Sequence, residues 1–101
     1  MCDKIYTLDE IKSIASPIAV RHGVAELYLF GSYARGDATA DSDLDFRIEK
    51  GRIRNIFQLG SFLNDIEDTF QKKADVLTTQ MLSADFLNSI HSEEVLIYAQ
   101  G

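Results

Sequence analysis

Residues 43–48, DLDFRI, alternate strictly between charged and apolar side chains. Successive side chains of an extended strand leave opposite faces, so Leu44, Phe46 and Ile48 share one face while Asp43, Asp45 and Arg47 share the other. A strand of this kind packs one face on a core and keeps the other polar. At 101 residues the chain fits one domain, near the low end of what buries a self-sufficient core. Residues 1–101 are accordingly read as a single domain.

The remaining periodicities fill in the layers. In YTLDEIKSIASPIAVRHG, Thr7 stands three residues before Glu10, the capping-box spacing, and Tyr6 and Ile11 are placed for a hydrophobic staple. Leu8, Ile11, Ala15, Ile18 and Ala19 then recur at helical spacing up to Gly23, with Pro17 expected to bend the helix because it removes the bond to the Ser13 carbonyl. AELYLFG is a short strand with both faces apolar. After the EKGR turn, Ile53, Ile56, Leu59, Gly60, Leu63, Ile66 and Phe70 form the expected buried stripe of a second long helix, Gly60 letting it approach the sheet and Phe57 and Phe62 widening the stripe. ADVLT and EVLIYA read as strands, and LSADFLNSIH as a helix capped by Ser83. The sum is an α/β domain with a mixed sheet of about four strands covered by helices on one face.

Charge and composition narrow the function classes. The net charge of −6 argues against nonspecific binding to nucleic acid or anionic membrane, both of which draw on clustered Lys and Arg. The single cysteine, Cys2, offers no internal disulfide, the start carries no signal-peptide pattern, and no apolar run is long enough for a membrane span. A cytoplasmic location is expected.

Asp43 and Asp45 leave one strand face roughly 6–7 Å apart, and two full charges at that distance repel by about 2.5 kcal/mol at an effective dielectric near 20. Asp75, in ADVLT, can add a third carboxylate. Hard oxygen donors of this kind suit Mg²⁺, which takes one or two carboxylates and completes its shell with phosphate oxygens and water. At the end of the first strand, Gly31 permits a tight turn, Ser32 supplies a hydroxyl, and the amides that begin SYARG form an anion-binding helix start.

GSYARGDATADSDLD, with ten residues between Ser32 and Asp43, resembles the G-S-x10-D-x-D signature of the minimal nucleotidyltransferases in the DNA polymerase β-like superfamily. The resemblance implies a polymerase β-like nucleotidyltransferase core. Gly31 and Ser32 would hold nucleotide phosphates, Asp43 and Asp45 two Mg²⁺ ions, and Asp75 the second metal and the incoming hydroxyl. The implied reaction is in-line attack of a hydroxyl on the α-phosphate of ATP or another NTP. Arg35 is read as a phosphate ligand or as the partner of Asp37 or Asp41. Arg47, where an aliphatic residue is more usual, is read as a phosphate ligand or as a neutraliser of Asp75. Lys50, Arg52, Arg54, Lys72 and Lys73 are expected to be solvated surface, and His22 and His91 to do no more than favour their helix ends.

Single-domain proteins of this family are typically antitoxins that transfer AMP to a tyrosine of a HEPN-type toxin, and this is the expected function. Larger relatives carry a second domain for the base or acceptor, so a protein partner is expected to complete the site; an oligomer is compatible with this. Two further readings are a noncatalytic binding antitoxin, and a small-molecule nucleotidyltransferase similar to the aminoglycoside-modifying enzymes.

Overall fold

The computed structural model describes residues 4–100, so Cys2 lies outside the described residues. Helix α1 spans Leu8–His22. Its capping box is formed: the Glu10 N–H donates to Thr7 Oγ1 at 3.1 Å, and the Thr7 N–H donates to Glu10 Oε1 at 2.9 Å. Tyr6 packs edge-on against Phe70 with ring centroids 5.0 Å apart, and its hydroxyl donates to the Phe70 carbonyl, tying the start of α1 to the end of the second long helix. The helix runs through Pro17, which lies with Ser13 on the exposed face, where water can satisfy the carbonyl that loses its helical bond. Gly23 ends it in the left-handed conformation, φ 71°.

Strands β1 (Glu26–Phe30), β2 (Leu44–Glu49), β3 (Ala74–Thr78) and β4 (Val95–Ala99) form one sheet in the order β3-β2-β1-β4. β1 is antiparallel to both β2 and β4, whereas β2 and β3 are parallel. The parallel pair needs a crossover, which α3 (Ile56–Phe70) supplies. A single turn, α2 (Ser32–Arg35), follows β1, and α4 (Ala84–His91) precedes β4, with Ser83 capping it as expected. The mixed four-stranded sheet is therefore the one the periodicities imply.

The core lies between the sheet and the two long helices. Leu27, Leu29, Leu44, Phe46 and Ile48 meet Ile11, Ala15, Ile18 and Ala19 of α1 and Phe62, Ile66 and Phe70 of α3. Phe62 is fully buried, in keeping with a widened stripe, but other expectations for α3 are corrected. Ile53 is buried but precedes the helix, whose N-cap is Asn55, and Ile56 is exposed. The centre of the buried stripe runs through Phe62, Ile66 and Phe70, and Phe57 stands about two and a half turns from Ile66, so it faces solvent. A Cβ at Gly60 would meet nothing within 4 Å, so no close approach to the sheet depends on that glycine.

Nor do all helices lie on one face. Phe86 of α4 packs edge-on against Phe30, ring centroids 5.9 Å apart, and Phe30 points to the face opposite Leu29. Lys72, expected on the solvated surface, is buried, with Nζ donating to the Ala40 carbonyl at 2.8 Å. A buried ammonium needs such an acceptor. Here the bond pins the loop before β2 to the start of β3, and the loop supplies Asp43.

Candidate active site

Gly31 follows β1 with φ 79° and ψ −157°, a conformation open essentially to glycine alone. The space its missing side chain leaves is occupied: a Cβ there would lie 2.3 Å from Asp45 Oδ2 and 3.2 Å from its Cγ. Phe30 pairs with Asp45 across β1 and β2, so the turn that begins at Gly31 wraps directly over that carboxylate. Ser32 then opens α2. By the geometry of a helix start, the N–H groups of Ser32, Tyr33 and Ala34 have no intrahelical acceptor and remain available beside the Ser32 hydroxyl.

The parallel register sets Asp45 of β2 directly opposite Asp75 of β3. Asp43, exposed, lies just before β2 and two residues from Asp45. Burial, then the charges of Asp75 and Asp43, push the Asp45 carboxyl up from 3.8 to about 6, with a hydrogen bond from the protonated Asp45 to Asp75 adding to the shift and Arg35 opposing it. Gly31, Ser32, Asp43, Asp45 and Asp75 are thus brought to one end of the polar sheet face. Among the described residues no three His, Cys, Asp or Glu side chains close on a single point as a ready-made metal cage.

Arg35 stands at the edge of this group. Its Nε donates to Asp37 at 3.3 Å and its NH1 group to Glu93 at 2.9 Å, so the pair with Asp37 is formed and Glu93 takes the place considered for Asp41. Arg47 is two residues along the same face but turned to different partners. It forms a bidentate pair with Glu94, Nε at 3.0 Å and NH2 at 2.9 Å, donates to Thr79 Oγ1 at 2.8 Å and to Glu49 at 3.4 Å, and stacks 4.2 Å from the Tyr28 ring centroid. Thr79 also donates to Glu49. Arg47 is buried, and its guanidinium is engaged by Glu94 and Glu49.

The sequence reading missed Glu93 and Glu94. Both precede β4 and reach a site built from β1 and β2 only because β4 returns beside β1, a pairing no local pattern encodes. Both histidines do more than favour helix ends: His22 Nε2 lies 2.8 Å from Asp65 of α3, and His91 Nδ1 lies 3.0 Å from Glu94. Lys72 is the other residue misread by its type alone.

The profile of the family described as "Polymerase beta, Nucleotidyltransferase" matches residues 10–101. The chain belongs to the polymerase β nucleotidyltransferase family. Among relatives of this nucleotidyltransferase, a Methanocaldococcus jannaschii protein named "Putative protein adenylyltransferase MJ0435" is 36% identical over 84 residues, covering 83% of this chain and 82% of the relative. "Protein adenylyltransferase MntA" of Thermococcus cleftensis is 28% identical over 95 residues, covering 90% and 96%. A solved structure described as "tri-AMPylated Shewanella oneidensis HEPN toxin in complex with MNT antitoxin" has a chain that superimposes with a TM-score of 0.62 at 10% identity, over 88% of this nucleotidyltransferase and 73% of that chain. At that identity the likeness speaks for the fold alone.

Proposed function

We propose that this nucleotidyltransferase moves AMP from ATP to a hydroxyl of a protein partner, a tyrosine of a HEPN-type toxin, and so acts as the antitoxin. The observation that carries the reading is the cradle at Gly31. A residue without a side chain, in a conformation reserved for glycine, makes room for Asp45 opposite Asp75 and opens directly onto the Ser32 hydroxyl. The names of the two relatives support adenylyl transfer to protein, and the AMP-carrying HEPN toxin complex supports the choice of acceptor.

The donor set suits Mg²⁺. Asp43, Asp45 and Asp75 offer hard oxygens, and the raised Asp45 carboxyl marks negative charge that a dication would offset. Two Mg²⁺ ions held by these three residues would neutralise charge on the triphosphate and on the leaving pyrophosphate. Ser32 and the free N–H groups of α2 bind the phosphates. The acceptor oxygen attacks the α-phosphorus as the bond to the bridging oxygen of pyrophosphate breaks, and Asp75, exposed at the strand edge, accepts the hydroxyl proton. Arg35 is placed to leave Glu93 for a phosphate oxygen. Arg47 acts as a structural link between β2 and the segment before β4.

The test is transfer from ATP in the presence of Mg²⁺ to a purified HEPN-type protein, followed by intact mass and peptide mapping. The partner should gain AMP on tyrosine, and the Asp43→Asn, Asp45→Asn double variant should transfer none while remaining folded. Equal transfer by that variant would remove these carboxylates from the chemistry. Rapid labelling of an aminoglycoside with no protein acceptor present would overturn the choice of substrate.

A further inference from the structure

At the opposite end of β2 and β3 from the carboxylates, a groove of about 180 Å³ is lined by Lys50, Ile53, Asn55, Ile56, Thr78 and Met81, with Arg54 and Leu59 completing it. Glu49 lies four residues beyond Asp45, about 13 Å of extended chain, so the groove and the nucleotide site are distinct places. Two of its lining side chains stand well out of the core, Ile56 at 72% exposed and Met81 at 56%. Single exposed hydrophobics are ordinary, but two large ones lining one groove mark an interaction surface.

The charge of the rim says what kind of partner fits. The chain carries 16 carboxylates against 10 Lys and Arg. Three of those cations, Lys50, Arg52 and Arg54, fall within five consecutive residues beside the groove, and among the described residues none of the three is in an ion pair. In a chain with this excess of carboxylates, a cationic rim left unpaired is complementary to negative charge from outside. The groove floor is aliphatic, and a phosphate backbone has nothing to insert there, which favours a protein segment over nucleic acid.

We infer that this groove docks a partner protein segment that presents an aliphatic or aromatic side chain flanked by Asp or Glu. The apolar side chain enters between Ile53, Ile56 and Met81, and the flanking carboxylates meet Lys50 and Arg54. Docking here leaves the face of Asp45 and Asp75 open. The inference does not depend on the identity of the acceptor in the reaction above.

The experiment titrates the ¹⁵N-labelled full chain with an acetylated, amidated helical peptide bearing two leucines one turn apart flanked by glutamates, and with a matched peptide in which lysines replace the glutamates. The glutamate peptide should give saturable shifts at Ile53, Ile56, Leu59 and Met81, with an affinity about tenfold or more above that of the lysine peptide. Ile56→Ser should weaken it several-fold, and the Lys50→Glu, Arg54→Glu variant should reverse the preference; all three side chains are exposed, so these variants keep the fold. Equal affinity for both peptides, no saturable shift, or shifts centred elsewhere would overturn the inference. So would concentration-dependent dimerisation lost in Ile56→Ser, which would assign the groove to a second copy of this chain.

Discussion

Gly31→Ala should damage both stability and transfer, and the structure separates the two causes. The backbone at φ 79° and ψ −157° lies where an L side chain is strained, which costs about 1–3 kcal/mol. The new Cβ would also stand 2.3 Å from Asp45 Oδ2, against the roughly 3.4 Å of ordinary contact, so the carboxylate must move by about 1 Å. Asp75 is across the register and Asp43 two residues away, so the carboxylate has little neutral space to enter. Together these effects amount to about 2–4 kcal/mol, or a fall in Tm of roughly 10–20 °C for a domain of this size. A displacement of that order in a group that positions the reaction should slow transfer by about 10²-fold. Urea unfolding of Gly31→Ala, Asp45→Ala and the double variant gives the cycle. Asp45→Ala removes the clash but not the backbone strain, so the double variant should recover about 1 kcal/mol or more relative to additivity. A Gly31→Ala protein as stable and as active as wild type would refute the cradle. Additive costs would show that Asp45 does not fill the space over Gly31.

The Asp45 carboxyl titrates near 6 in the fold against 3.8 when unperturbed, so between those values the folded state holds more protons and stability falls as pH rises. Asp45→Asn should therefore stabilise the metal-free protein by about 1–2 kcal/mol at pH 8, a figure discounted for the group's partial exposure, and by almost nothing below pH 4. Denaturation at both pH values reads this, and an equal difference at each would refute it. Removing the guanidinium in Arg47→Met leaves the buried Glu94 side chain with only the exposed His91 as an ion-pair partner among the described residues and should cost about 3 kcal/mol, much of it recovered in the Arg47→Met, Glu94→Leu pair. A loss under about 1 kcal/mol by urea unfolding would show the pair to be unimportant. Tyr33 is buried with a hydroxyl that has no hydrogen-bond partner among the described residues, so Tyr33→Phe should be neutral or more stable by about 1 kcal/mol; a clear loss of stability would reveal a bond to that hydroxyl.

Much of the site is legible in the sequence because its parts are local. The turn at Gly31, the spacing from Ser32 to Asp43 and the alternation through Ile48 each depend on residues close in the chain, and alternation alone puts Asp43 and Asp45 on one face. The capping box at Thr7 and Glu10 is likewise complete within one helical turn. What periodicity cannot supply is the phase of a helix against a sheet. Ile56 and Phe62 both satisfy an apolar pattern, yet only Phe62 is in the core, because the buried centre of α3 is set by where the crossover from β2 to β3 lays the helix. Partners of buried charge are also invisible until distant segments meet. Arg47 faces Glu94 because β4 pairs beside β1, and Lys72 is buried because the Ala40 carbonyl waits for its ammonium. The sequence by itself determined the carboxylates, the glycine turn before Ser32 and the strands that carry them, since those follow from neighbours along the chain. Tertiary structure alone decided which cations were already engaged and which apolar side chains remained outside, since burying a charge or a ring depends on what the rest of the fold brings against it.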